Sequence, residues 1–458
     1  MLSLASMRIT LFSLVLVPMA TLGAQDREQK VRQDQARILK EGFWIYNNLP
    51  KGFEQAKATG KPLLVVFRCL PCEACAQLDE EVIDDDPAVR KWLSQFVPVR
   101  IVHANGMDLN KFQFDYDQSW AAFVLHADGT ILGRYGTRSH QSESADDVSL
   151  AGFLESLGVA LRLHANFDGV REQLLAKTGP PSPVARPEEF PSLKTKYSST
   201  LDYEGKVVQS CIHCHQVGEA QREWYRDQEQ PIPAEVLFPY PHPKILGLVM
   251  APERARMVQS VTVSTINAPA ESRDAAGKSP AAIAGFRAGD EVVAMEGQPI
   301  ISIADMQWVL HRAGNKTQLL VDVQRDGQVE HLNLQLPEGW REEGDIAWRA
   351  TSWSLRRMVT GGLQLESLTA EERAALKLPP DAVGLRVHHV GQFDAHAAAK
   401  RAGFKVDDVV IKVGNLDRPA SESQLFAALV NAYPSGQSVA VDVLRGDKRL
   451  TLQLPIQP

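Results

Sequence analysis

Pro62-Leu63-Leu64-Val65-Val66-Phe67 is a short unbroken apolar run, the pattern of a strand buried on both faces. Phe96 through Val102 is a second such run. Between them, Asp86-Pro87 supplies an N-cap and a proline at the first helical position, which predicts a helix over Ala88 to Gln95. Two apolar stretches within Ala122 to Tyr135 flank Asp128-Gly129, a hairpin signal. Leu150 to His164 reads as a helix. Strand, helix, strand, hairpin, helix is an α/β order. Residues 25–50 begin as a charged stretch, and Phe43-Trp44-Ile45-Tyr46 marks the expected start of ordered structure. The first domain is therefore set at 25–177.

Prolines 180, 181, 183, 187 and 191 predict a linker over 178–200. A helical segment from about Tyr203 to Arg226 follows, in a small unit spanning 201–244 that ends in the Pro-rich run Pro231 to Pro243. The remainder repeats itself. Ala284-Gly285-Phe286 returns as Ala402-Gly403-Phe404, Val321-Asp322-Val323 as Val441-Asp442-Val443, and Leu334-Gln335-Leu336-Pro337 as Leu452-Gln453-Leu454-Pro455. This spacing predicts two tandem, mostly β domains, 245–337 and 338–458, rather than a solenoid. The expected fold class is multidomain, α/β plus β.

Of 458 residues, 44% are hydrophobic and 23% charged, which excludes a globally disordered chain. The charge balance, 49 − 56 = −7, excludes a dedicated nucleic-acid binder. Arg8 precedes an apolar run, Ile9 to Val17, too short for a comfortable membrane span. It is read as a signal peptide, 1–24, cleaved after Ala24. Export places the chain in the periplasm or outside the cell, with membrane attachment only if this segment stays uncleaved.

The five cysteines fall in two groups. Cys69-Leu70-Pro71-Cys72-Glu73-Ala74-Cys75 follows a buried strand and opens a predicted helix, where backbone N–H groups and the macrodipole favour a thiolate. Cys72 is assigned as attacking thiol, Cys75 as resolving thiol, and Cys69 as a spare able to pair with Cys72. Three thiolates could instead hold Cu(I) or Zn(II), or be structural. The acidic run Asp79 to Asp86 reads as a solvated helix end.

Cys211-Ile212-His213-Cys214-His215 is a CxxCH motif, the attachment signature of haem c. Cys211 and Cys214 would form the thioethers and His215 would ligate iron. His242, Met250 and Met257 are the candidates for the sixth ligand. A zinc site or a plain disulfide are the alternatives.

Residues from about Phe53 to Gly136, with Gly60-Lys61-Pro62 before the first core strand, resemble the thioredoxin-like family. That family places a cis-proline before the hairpin strand. Ser119-Trp120-Ala121-Ala122-Phe123 has none, which raises metal or specialised partner chemistry. The residues around the CxxCH motif resemble the start of class I cytochromes c. Ser279-Pro280-Ala281-Ala282-Ile283-Ala284-Gly285-Phe286 resembles the signature of bacterial PDZ domains, and Ala397 to Asp408 matches more loosely.

The PDZ resemblance implies that carboxylate-binding loops lie at Gly247-Leu248-Val249-Met250 and at Gly361-Gly362-Leu363-Gln364-Leu365. Each would take protein C-termini or extended peptides as an added strand. The first repeat carries an inserted loop, Ser264 to Gly277. No Gly-Asn-Ser-Gly-Gly-type nucleophile is present, so a serine protease is rejected. The whole order resembles a family of exported bacterial thioredoxin-like/PDZ (seleno)proteins, here in an all-cysteine form. It implies a thiol–disulfide redox protein with covalent haem c for electron transfer, a redox partner protein, and PDZ domains that select partners. The alternative is a PDZ scaffold or haem sensor whose first Cys group is structural or metal-binding.

Overall fold

The computed structural model describes residues 19–68, 70, 87–118, 120–140, 144–262, 278–379, 382–416, 418 and 420–458. Cys69, Cys72, Cys75, the acidic run to Asp86 and the inserted loop Ser264 to Gly277 lie outside them.

The first sheet has the order β1-β3-β2-β4-β5, with β1 (Ile45–Tyr46), β2 (Leu63–Arg68), β3 (Val97–Ile101), β4 (Trp120–Leu125) and β5 (Ile131–Tyr135). β2 runs parallel to β3, with Phe67 opposite Ile101, and antiparallel to β4. Its strands are buried on both faces, so they read as continuous apolar runs. One face carries Leu64, Val66 and Val124 against Phe153 and Leu157; the other carries Leu63, Val65 and Phe67 against Phe112 and Phe114, the lower core. Phe153 and Leu157 belong to a helix over Leu150–Ala165, as expected.

Four expectations are corrected. The charged stretch before Phe43 is not irregular: helix α1 (Met19–Glu41) spans it, and Asp34 reaches 2.5 Å from Arg100 on β3. The Pro-rich stretch 178–200 is not a linker, because Phe190 and Leu193 are buried in the lower core beside Phe112. The 201–244 segment is not a module of its own. Ile212, Val217 and Ala220 join the thioredoxin-like core, Ile232, Leu237 and Phe238 join the C-terminal core, and Tyr240 joins the core between them. A segment this short cannot bury a core alone, so it distributes its apolar residues among its neighbours. Helix α2 (Cys214–Asp227) starts at the motif rather than at Tyr203.

The second sheet, β11-β10-β8-β7-β6 with β9 paired to β8, contains β6 (Leu248–Ala251), β7 (Arg254–Val261), β8 (Glu291–Met295), β9 (Gln298–Pro299), β10 (Thr317–Arg325) and β11 (Gln328–Leu336). The third, β12-β13-β14-β15-β16, contains β12 (Leu363–Ser367), β13 (Leu385–Val390), β14 (Val409–Val413), β15 (Ser438–Arg445) and β16 (Lys448–Pro455).

The repeat holds at atomic detail. Arg325 grips Asp290 through Nε–Oδ1 and Nη2–Oδ2, both 2.7 Å, and donates to Gly285 O at 3.0 Å. Arg445 grips Asp408 through the same atoms, both 2.7 Å, and donates to Gly403 O at 2.7 Å. Each carboxylate also accepts a backbone N–H three residues upstream, from Arg287 and Lys405.

Candidate functional site

The CxxCH segment is fastened to the chain just past β3. Ala104 N–H donates to Ile212 O at 2.8 Å, and Ile212 N–H donates to Asn105 Oδ1 at 2.8 Å. Asn105 Nδ2 donates to Ser198 O and Ser210 O, at 2.7 and 2.9 Å. From α1, the Glu28 carboxylate accepts the N–H groups of Val207 and Val208, at 3.1 and 3.0 Å. Two elements, the chain just past β3 and α1, therefore hold the backbone of the motif and its approach before its side chains do anything.

Cys211 and Ile212 are buried, and Cys214 is half-buried against the lower core. Cys214 and His215 form the first turn of α2, and His213 N–H donates to Gln216 Oε1 at 2.8 Å to close the helix start. His215 Nδ1 lies 3.4 Å from Glu219 Oε1, one turn on. The His213 and His215 rings stack with centroids 5.7 Å apart and 18° between planes. Tyr203 lies near Cys211 and Tyr116 near Cys214. Burial raises both phenol pKa values, and the neighbouring thiols add to the rise. His103, one residue before Ala104, is held neutral by burial, its pKa pushed down to about 4. Its buried Nδ1 has no hydrogen-bond partner.

The same sheet edge leads toward the first cysteine group. β2 and β3 are parallel and end together at Arg68 and Ile101, and Arg68 is the residue before Cys69. Ala104, which holds the CxxCH loop, follows three residues after Ile101. Arg68 and Arg100 share one buried carboxylate, Asp34, at 3.9 and 2.5 Å.

The three candidate sixth ligands are placed elsewhere. His242 Nε2 lies 3.4 Å from Asp147 Oδ1, and its Nδ1 accepts the Lys244 N–H at 3.2 Å. Met250 is buried in the core of the second sheet, and Met257 sits on β7 opposite Glu291. Of the peptide-loop candidates, Gly247 takes φ +90° and Gly362 φ +89°, the left-handed turns that open β6 and β12. Leu248, Met250, Leu363 and Leu365 face their cores. β6 and β12 are both edge strands. Helix α3 (Ile303–Arg312), which accompanies the second sheet, is buried through all of Ile303 to Leu310 because its outer face docks on β5. Sequence reading missed Asn105, Glu28 and His103. Asn105-Gly106 after a strand reads as a turn, and nothing local marks its side chain as the anchor of a loop a hundred residues away.

Residues 44–127 match the thioredoxin-like family model, and residues 255–336 match the PDZ domain model. The chain thus contains a thioredoxin-like domain and a PDZ domain. A DegP-like periplasmic serine endoprotease of Pseudomonas savastanoi pv. phaseolicola is 28% identical over 169 residues, 36% of this chain and 33% of the relative. A DegP-like protein of Pseudomonas putida is 26% identical over 166 residues, with the same coverage of 36% and 33%. The chain spans about a third of the length of these relatives. Among solved structures, the HtrA-type protease AlgW with decapeptide matches at 13% identity and a TM-score of 0.19, over 31% of this chain and 50% of that one. Among the described residues, no helix is long and apolar enough to cross a membrane.

Proposed function

We propose that the chain is an exported, periplasmic thiol–disulfide redox protein whose CxxCH loop carries a covalent haem c and whose two PDZ-type units govern partner access. One observation carries the reading: the CxxCH loop is built into the thioredoxin-like domain, at the edge where β2 delivers the chain to Cys69. The periplasmic setting is supported by the apolar N-terminal segment and by the DegP-like relatives. The protease activity in the relatives' names belongs to those proteins.

In the thiol step, the Cys72 thiolate attacks a partner disulfide, forming one S–S bond and releasing one partner thiolate. Cys75 then resolves the mixed disulfide, so the partner gains two electrons and Cys72–Cys75 becomes the disulfide.

Haem c, when bound, supplies a one-electron carrier beside this two-electron couple. The residues present fit its proximal side. Cys211 and Cys214 flank a rigidly held loop, and His215 has its Nδ1 toward the Glu219 carboxylate, the usual orientation of a ligating histidine. His242, Met250 and Met257 do not fit the distal side, so the sixth position would fall to another group or stay open. Cys72→Ser should abolish exchange with a small disulfide, and Cys75→Ser should trap a mixed disulfide. Unchanged exchange in Cys72→Ser would favour the scaffold reading.

A further inference from the structure

We propose that the peptide groove of the C-terminal unit is occupied by this chain's own helix α4 (Ser352–Thr360), so that a partner C-terminus enters only when α4 leaves. The inference rests on the PDZ-type reading of that unit. A peptide adding to an edge strand needs the outward N–H and C=O groups of that strand. On the first half of β12 two of these are already used. Leu365 N–H donates to Glu422 Oε1 at 2.8 Å, and Leu363 O accepts Thr360 Oγ1 at 3.0 Å.

Glu422 opens helix α5 (Glu422–Val430), across from β12. Its carboxylate is gripped by Arg356 of α4, through Nε at 3.1 Å and Nη2 at 2.5 Å. The same guanidinium lies over the Phe426 ring, 5.8 Å from its centroid. Leu355, Met358 and Val359 of α4 are fully buried in one cluster with Leu425, Phe426 and Leu429 of α5. Helix α4 thus supplies the apolar anchors, and its Arg356 holds the Glu422 carboxylate of α5 on the Leu365 N–H that an incoming strand would need.

The loop expected to receive a terminal carboxylate is turned inward as the cap of α4: Gly362 N–H donates to Arg356 O at 2.9 Å. A Cβ on Gly362 would fall 1.9 Å from His396 O. The far half of the groove stays open, as a cleft of about 480 Å³ lined by Leu365, Ser367, Arg373, Ser421 and Gln424. A nine-residue helix without its packing partner is not stable in water, so displacement of α4 means its unwinding.

The test uses the full chain and an acetylated decapeptide ending in Tyr-Leu-Val with a free carboxylate. Amide hydrogen exchange is followed at saturating peptide, and affinity is measured for wild type, Arg356→Gln and Glu422→Gln. The expected result is protection of residues 363–367 with faster exchange of 352–360. Both variants should bind at least roughly tenfold tighter, because the closed state no longer taxes binding. Protection of 363–367 with unchanged exchange of 352–360 overturns the proposal while leaving the PDZ-type reading intact. No protection of 363–367 in wild type or either variant overturns that reading, and the proposal with it.

Discussion

Lys177 Nζ and Asp305 Oδ2 lie 2.7 Å apart, with both side chains 1% exposed, across the boundary between the thioredoxin-like and PDZ domains. The carboxylate also accepts N–H bonds from Arg134, at 3.2 Å, and Ile301, at 3.1 Å. Beside it, Trp308 Nε1 donates to Ala176 O and Ser302 Oγ to Arg134 O. This contact is why all of Ile303 to Leu310 is buried. It ties the PDZ helix to β5 as a fixed part of the thioredoxin-like domain.

Removing one partner leaves a buried charge. Lys177→Met should cost about 3–5 kcal/mol, read as a loss in denaturant midpoint. Gly133→Val should part the two domains without removing a charge, because a Cβ there would sit 2.2 Å from Ile301 Cδ1 and 3.0 Å from Asp305 Oδ2. Limited proteolysis should then cut between the domains. A Lys177→Met variant of wild-type stability would show that the boundary is not held by this pair.

Asp290–Arg325 and Asp408–Arg445 make the same bidentate grip and the same backbone bond in each β unit. Asp290→Ala and Asp408→Ala should therefore destabilise their own units by similar amounts, about 2–4 kcal/mol each. Hydrogen exchange resolved by peptide should place each effect in one sheet. An effect confined to one of the two variants would break the equivalence of the repeats.

Acid should weaken the fold through two neutral histidines. Burial lowers the His103 pKa to about 4. Burial, reinforced by Arg341, Arg312, Arg134 and Arg349, lowers that of His311 to about 3. In the unfolded chain both titrate near ~6.5, so unfolding takes up protons below that pH. Their contribution is fully present above ~6.5 and is lost as pH falls toward the folded values, at up to about 1.4 kcal/mol per pH unit for each group. Calorimetric midpoints in His311→Gln should show a shallower decline between about pH 6.5 and pH 4. A wild-type slope in that variant would contradict the assignment.

Asn105 makes three bonds that hold the CxxCH loop. Asn105→Ala leaves the buried Ile212 N–H unsatisfied and should cost about 2–4 kcal/mol at roughly 1 kcal/mol per bond. In protein made without haem-maturation machinery, alkylation of Cys211, buried in the wild type, should accelerate by at least about tenfold. An unchanged rate would mean that the loop is held by its apolar contacts alone.

The apolar runs Leu63 to Phe67 and Val97 to Ile101, the Asp128-Gly129 turn and the long-range repeat were legible because each is a local pattern or a self-match. The fate of 178–244 was not. Its prolines and short apolar groups suit a linker plus a small module, yet Phe190, Ile212, Ile232 and Tyr240 are claimed by three different cores. Such sharing leaves no periodicity. Likewise, Arg356 and Glu422 are ordinary helix residues until the fold brings them together, and a Met at 250 looks the same as a ligand or as packing.

The central claim is that the CxxCH loop on the thioredoxin-like edge holds a covalent haem. The most direct test is the alkaline pyridine absorption spectrum of the exported full chain, made with haem-maturation machinery and extracted with acidified acetone. The account predicts a haem c spectrum that survives extraction in wild type and is absent from Cys211→Ala/Cys214→Ala. A protein that loses all haem on extraction, or never acquires any, would contradict it.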